Sequence, residues 1–174
     1  MRLERLQTPI GEAIVVTTED GALAGLDWAD RPERLTQLLE RYHGPVTLDE
    51  VADAPTAAAR AVERFFAGEV GAIEDLPVDT GGTAFQQEVW AALRGIEAGT
   101  TTTYSALAQM LGRPDAVRAV GAANGANPVS IVLPCHRVVG AGGELRGYAG
   151  GLARKRWLLR HEGAPVPPEQ GALF

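Results

Sequence analysis

The chain has 174 residues, which suits one domain or two small ones, and a composition of 45% hydrophobic and 22% charged residues excludes collagen, a coiled coil and wholesale disorder. No stretch approaches the ~20 apolar residues of a membrane span and the N-terminus lacks the apolar core of a signal peptide, so the sequence predicts a cytoplasmic protein without membrane contact. The net charge of −6 hides an asymmetry, because residues 1–80 carry 7 basic and 16 acidic residues (−9) whereas residues 81–174 carry 9 and 6 (+3).

For residues 1–80, the acidic half, the sequence predicts a small α+β domain without catalytic residues. Strong β formers on both sides of Glu19-Asp20-Gly21 predict a hairpin. Apolar residues at helical spacing predict two helices, one after Pro32 and one before Gly68. His43, near the end of the first helix, is expected to be a surface cap rather than a ligand. The predicted strands of this half are Thr8–Thr18, Gly21–Trp28, 46–48 and 76–78.

The basic half predicts a helical, DNA-binding domain. Thr83 and Gln86 fit a capping box, which marks the start of its first helix. Two short helices follow, 104–111 and 115–124, and a tight turn at Gly112 joins them in a helix-turn-helix pattern. The charge asymmetry agrees with nucleic-acid contact by this half, although an unevenly solvated surface would also produce it. The predicted units of the chain are a scaffold domain, 1–80, a DNA-binding domain, 81–163, and a mobile tail, 164–174.

The second of these helices is unusually poor in side chains that read bases. Only Arg118 and Asn124 could hydrogen-bond a base edge, whereas sequence-reading helices aim several polar side chains at the groove. Its small residues, Ala119 and Ala123 among them, allow close approach to DNA, which favours binding through shape, phosphates and the minor groove. The alternative is that these small residues only permit tight helix packing.

Cys135 is the only cysteine, which excludes an intrachain disulfide and a cysteine-based zinc site. An apolar, β-prone run, Ile131–Pro134, leads into Cys135-His136-Arg137, and a glycine-rich loop follows. Adjacency of cysteine and histidine proves little, since a lone cysteine is often buried and inert. A cationic neighbourhood would lower the pKa of the thiol and make it a nucleophile.

These motifs resemble one family, the O6-alkylguanine-DNA alkyltransferases. The resemblance covers about Phe85 to Gly163 and, more weakly, parts of the first 80 residues. It implies an α+β fold with a small ribonuclease H-like N-terminal α/β scaffold domain and a C-terminal, winged helix-turn-helix-like domain. The segments that carry the resemblance are Arg118–Gly121, Asn127-Pro128, Pro134–Val138, Gly147–Gly151, Thr8–Gly11 and Phe66–Glu69.

The resemblance implies DNA repair by a single-turnover methyltransferase. Cys135 would accept the alkyl group from O6-alkylguanine, and also from O4-alkylthymine, in duplex DNA after the nucleotide has been flipped out. His136 would take the thiol proton through a water molecule, Glu162 would orient His136, and Asn127 would hold the active-site turn. Tyr104 would donate a proton to the leaving base.

Further residues take binding roles through the same resemblance. Arg118 would occupy the hole left by the flipped nucleotide, and the remaining DNA contacts would be Tyr104, Ala119, Ala123 and Asn124. The pocket walls would be Val138, Tyr148 and Ala149, where some relatives carry a hydroxyl in place of Ala149. No metal and no cofactor is implied. The partner is double-stranded DNA carrying the lesion, bound by a monomer that can cluster cooperatively.

Two other functions use part of the same pattern. A thiol hydrolase would also employ Cys135 and His136, but it needs turnover and an oxyanion hole, which a DNA-docking helix pair does not serve. A DNA-binding regulator would use the helices without the thiol and would prefer one operator sequence.

Overall fold

The structure is a computed structural model that describes residues 1–168. Its N-terminal half is a four-stranded sheet with the spatial order β3 (Leu23–Trp28), β2 (Gly11–Thr17), β1 (Arg2–Thr8) and β4 (Asp49–Glu50). Neighbouring strands are antiparallel except that β4 runs parallel to β1. The sheet is covered on both faces, so β2 is buried almost throughout: Ile14 and Val16 face one cluster, and Ala13 and Val15 face the other. The elements of this half are β1 (Arg2–Thr8), β2 (Gly11–Thr17), β3 (Leu23–Trp28), α1 (Pro32–His43), β4 (Asp49–Glu50), α2 (Ala57–Phe66) and a 3-10 turn (Val70–Ile73).

The hairpin of β2 and β3 and both helices are confirmed, but the strand β1 was not predicted. Its alternation is interrupted by Glu4, which is buried and accepts hydrogen bonds from the backbone N–H of Thr56 (2.9 Å) and its hydroxyl (2.6 Å) at the start of α2. The strands predicted at 46–48 and 76–78 are wrong. Residues 46–48 form no strand and the pairing with β1 begins at Asp49–Glu50, while in the second segment Val78 forms a single bridge to Leu23.

The C-terminal half is mainly helical. The capping box of Thr83 and Gln86 is present at the start of α3, and α4 and α5 pack against each other and against α3. Together α4 and α5 form the predicted helix-turn-helix. The elements of this half are α3 (Ala84–Arg94), β5 (Thr102–Thr103), α4 (Tyr104–Met110), α5 (Val117–Gly125), a 3-10 turn (Cys135–Arg137), β6 (Val138–Val139) and α6 (Leu152–His161). No helix in the described part of the chain is long and apolar enough to cross a membrane.

The two halves are joined where the chain approaches Cys135. Leu26 of β3 donates its N–H to the Pro128 carbonyl (2.9 Å) and accepts from the Ser130 N–H (2.8 Å). The guanidinium of Arg34 on α1 pairs with Asp27 and donates to the carbonyls of Gly125 (2.7 Å) and Asn127 (3.2 Å). The N-terminal sheet therefore holds the loop that carries the thiol.

Two sequence predictions about this half need correction. The run Ile131–Pro134 is not a strand, because Ile131 has a φ of 72° and the chain turns there before the 3-10 turn. The predicted mobile tail begins with packed residues, since Ala164 is buried in one cluster with Val139 and Leu159, and Val166 packs against this cluster. Residues 169–174 of that tail lie outside the described residues.

Candidate active site

The turn that presents Cys135 is held by Asn127. The Asn127 side chain is 1% exposed; its Nδ2 donates to the Leu133 carbonyl (2.8 Å) and its Oδ1 accepts from the Val129 N–H (2.9 Å). One amide side chain thus ties together the two ends of this buried loop, pairing with the carbonyl of Leu133 and the N–H of Val129. Cys135 opens the 3-10 turn and is 5% exposed, so only a group inserted into the protein can reach its sulfur.

Next to the thiol, His136, Glu162 and Arg137 form a buried network. Glu162 Oε1 lies 2.8 Å from His136 Nε2, and Arg137 reaches both carboxylate oxygens at 3.0 and 2.8 Å. Burial alone would raise the pKa of Glu162, but hydrogen bonds from His136 and Arg137 outweigh it and lower the pKa to about 2. The ionised carboxylate accepts a hydrogen bond from the Nε2–H of His136, which leaves Nδ1 as the basic nitrogen of the ring.

The histidine is therefore a neutral base. Burial lowers the pKa of His136, opposed by the Glu162 carboxylate, and Arg137 and Lys155 lower it further. Its Nδ1 is buried and has no hydrogen-bond partner among the described residues. That atom is available to receive a proton directly or through one bridging molecule.

The cysteine is not activated in the way that the sequence suggested. Burial raises the pKa of Cys135, and a hydrogen bond from Asn127 and the charges of Lys155 and Arg34 only partly oppose this. Arg137, the cation next to it in the chain, instead pairs with Glu162 and donates to the Ile96 carbonyl (2.5 Å). The thiol is consequently protonated at rest, and its reaction requires a base.

Lys155 is the site residue that sequence reasoning missed. It is fully buried, and its Nζ donates to the carbonyls of Val138 (2.5 Å) and Arg146 (2.6 Å). Burial lowers the pKa of Lys155 to about 8, opposed by the charge of the Cys135 thiolate form. Lys155 lies three and four residues before Leu158 and Leu159, which places it on the buried face of α6. This helical spacing is the feature of the sequence from which its burial could have been predicted.

Two of the three candidate pocket walls, Val138 and Tyr148, belong to the same buried cluster as Cys135. Val138 is fully buried, Tyr148 is 8% exposed and Ala149 is half-buried. Burial, and then the negative charge of the Cys135 thiolate, raise the pKa of Tyr148. On the other side Tyr104 is half-buried, and its hydroxyl donates to the Arg146 carbonyl at 3.4 Å. Burial and the Cys135 thiolate charge also raise the pKa of Tyr104, so its phenol keeps its proton.

The surface of α5 offers fewer DNA contacts than expected. Arg118 and Ala119 are exposed, but Ala123 and Asn124 are each 3% exposed because α5 packs on α3 and α4. The indole Nε1 of Trp90 on α3 donates to the Ala123 carbonyl at 2.9 Å. Contact of the Ala123 and Asn124 side chains with DNA does not fit this surface. The small residues of α5 serve helix packing on one face and leave close approach possible on the other.

No group of three or more His, Cys, Asp and Glu residues that could hold a metal ion lies within residues 1–168.

Comparisons with known proteins converge on one family. The family model described as "6-O-methylguanine DNA methyltransferase, ribonuclease-like domain" matches residues 1–80, and its "DNA binding domain" counterpart matches residues 84–164. A methylated-DNA--protein-cysteine methyltransferase of Shigella flexneri is 47% identical over 161 residues, 92% of this chain and 94% of that protein. One of Salmonella typhimurium is 49% identical with the same coverage. The crystal structure of Mycobacterium tuberculosis OGT in complex with DNA matches with a TM-score of 0.78 and 36% identity over 95% of this chain and 96% of that one.

Proposed function

This chain belongs to the 6-O-methylguanine DNA methyltransferase family, and from that premise we propose that it repairs duplex DNA by moving the alkyl group of O6-alkylguanine, and of O4-alkylthymine, irreversibly onto Cys135. One observation carries the proposal: a protonated, buried thiol stands beside a histidine whose tautomer is fixed by an ionised glutamate. Such a pair generates a thiolate only when a substrate is in place.

The transfer is an in-line displacement. His136 Nδ1 takes the thiol proton through a bridging water, and the Cys135 sulfur attacks the alkyl carbon. The S–C bond forms as the bond between that carbon and the base oxygen breaks, and the electron pair passes to the base. Tyr104 supplies a proton to the base, so a neutral guanine leaves. Nothing in this sequence of steps cleaves the resulting thioether, so each molecule reacts once.

The base must leave the duplex before the sulfur can reach it. Cys135 is 5% exposed, and a stacked base presents no alkyl carbon to a recessed thiol. Arg118 is exposed near the start of α5, which supports a role in which its side chain enters the stack and takes the position of the flipped nucleotide. Ala119 beside it lets the helix backbone approach the groove.

In this proposal the pocket that receives the base is lined by Val138, Tyr148 and Ala149. Asn127 maintains the turn, and Glu162 maintains the tautomer of His136. The protein acts as a monomer in the cytoplasm, able to cluster cooperatively on DNA.

Stoichiometry tests the proposal. Duplex DNA with one radiolabelled O6-methylguanine is titrated with the protein, and protein-bound label is counted. We expect a plateau at one methyl group per molecule, and none with Cys135→Ser, which should still bind the duplex. Release of several methyl groups per molecule would indicate a hydrolase, and binding to one undamaged sequence without loss of label would indicate a regulator.

A further inference from the structure

Trp28 belongs to the N-terminal domain, yet its indole lies beside the candidate pocket of the C-terminal domain. It ends β3, is 1% exposed, and meets Tyr148 at Gly150. A Cβ on Gly150 would lie 2.6 Å from Trp28 Nε1 and 2.7 Å from Tyr148 Cε1. Gly150 is not among the glycines with positive φ, so what requires a glycine here is the close approach of the two rings rather than the backbone conformation.

The two rings bring together polar atoms that nothing else satisfies. Trp28 Nε1 and the Tyr148 hydroxyl are both buried, and neither completes a hydrogen bond with any described residue. Burial raises the pKa of Tyr148, and the neighbouring Trp28 side chain, and more weakly Ser130, act to lower it. An indole N–H only donates. Towards Trp28 the phenol oxygen can therefore act only as an acceptor, which leaves the phenol hydrogen for another partner.

Trp28 is itself held in place. The guanidinium of Arg154 on α6 lies 4.4 Å from the centre of the indole ring. That guanidinium donates to the Ile10 carbonyl (2.9 Å) and to the carboxylate of Asp30 (3.0 and 3.1 Å). These contacts, which come from both domains, fix the position of the indole ring.

We propose that Trp28 is a positioning residue for the reaction: its indole N–H orients the Tyr148 phenol so that the phenol O–H is donated to a hydrogen-bond acceptor of the extruded base. The inference rests on the proposed function, which places the base against Tyr148. It gives the N-terminal domain a direct part in substrate binding. Loss of the N–H should weaken capture of the base and leave the alkyl transfer itself unchanged, because neither ring touches the sulfur or the departing oxygen in this account.

A double-mutant cycle with free O6-benzylguanine tests the proposal. The concentration that gives half-maximal benzylation rate and the maximal rate are measured for wild type, Trp28→Phe, Tyr148→Phe and the double variant. We expect Trp28→Phe to raise the half-maximal concentration ~3–10-fold, the effect of one neutral hydrogen bond, with little change in maximal rate. In the Tyr148→Phe background the same substitution should have no effect. Trp157→Phe, a partly buried tryptophan on α6 stacked on His161, is the control and should resemble wild type.

Equal losses in both backgrounds, or no loss in either, would overturn the positioning role. If Trp28→Phe fails to fold, Gly150→Ala decides the question, because its methyl group meets Trp28 Nε1 and Tyr148 Cε1 and so separates the rings while keeping both. It should raise the half-maximal concentration with little change in the maximal rate, and an unchanged half-maximal concentration, or a loss confined to the maximal rate, counts against the proposal. A wild-type protein that is never benzylated would instead overturn the proposed function.

Discussion

Replacing Glu162 by Gln removes the charge that unites the buried network. The pKa of this carboxyl is lowered from 4.5 to about 2, and at about 1.4 kcal/mol per pKa unit its ionisation contributes about 3 kcal/mol to folding. The side chain is fully buried, so solvent screening reduces this free energy only slightly. The change also strands the Arg137 guanidinium, which is 8% exposed, without a counter-charge. In a chain of this length the melting temperature near pH 7 should fall by ~6–12 °C.

The sign of the pH dependence follows from the depressed pKa. The ionisation of Glu162 stabilises the fold above its unfolded pKa of 4.5 and the benefit disappears as pH falls towards about 2. The melting difference between wild type and Glu162→Gln should therefore shrink to less than half near ~pH 3. Benzylation by free O6-benzylguanine should also slow by ~10²–10⁴-fold, since a Gln amide does not fix the His136 tautomer.

Glu69→Gln is the matched control. Glu69 pairs with Arg64 at 2.8 Å, but both side chains are about 60% exposed (61% and 58%), and exposed pairs contribute ~0–1 kcal/mol. Its melting temperature and benzylation rate should stay close to wild type at every pH. If Glu162→Gln behaved like Glu69→Gln, the buried network would have neither the energetic nor the catalytic role assigned to it.

Further substitutions separate the remaining roles. Arg118→Ala should slow repair of duplex DNA but leave benzylation by the free base near wild type, because only the duplex requires extrusion; equal slowing of both substrates would refute this. Tyr104→Phe should slow both substrates by ~10²–10⁴-fold through loss of the proton donor, and a selective effect on duplex would contradict that role. Lys155→Met should slow benzylation at least ~10-fold, because it removes a charge that lowers the pKa of Cys135 and leaves two carbonyls without a partner; an unchanged rate would make Lys155 dispensable. As the pH is lowered, the wild-type rate should fall only below the lowered pKa of His136, because the base becomes protonated there. A rate that already fell above 6.5, the ordinary pKa of histidine, would argue against a neutral histidine base.

Features of the site that depend on local chain chemistry could be anticipated from the sequence. The capping box of α3, the helix pair α4 and α5, and the grouping of Asn127 with Cys135 all lie within short segments, where turn and cap residues act on their neighbours. The segment Ile131–Pro134 was expected to be extended because its residues are β-prone, and such residues normally form strands. There the Asn127 side chain supplies the hydrogen bonds that a strand ladder would otherwise provide.

The features that escaped prediction depend on contacts across the fold. The activation of Cys135 was inferred from Arg137, its neighbour in the chain, but the structure turns that cation towards Glu162 and brings Lys155 from α6 instead. Likewise, nothing in the local sequence distinguishes Trp28 from any apolar residue at a strand end. Its proximity to Tyr148 arises only when the two domains pack together.

If Cys135 itself keeps the alkyl group, the mass of the protein must increase on repair, and mass spectrometry measures this increase. The protein is incubated with a duplex that contains O6-methylguanine, its intact mass is measured, and its peptides are sequenced by fragmentation. We expect a gain of one CH₂ unit per molecule, located on the peptide that contains Cys135, and no gain for Cys135→Ser. An unchanged mass while the lesion disappears, or a methyl group on any other residue, would contradict it.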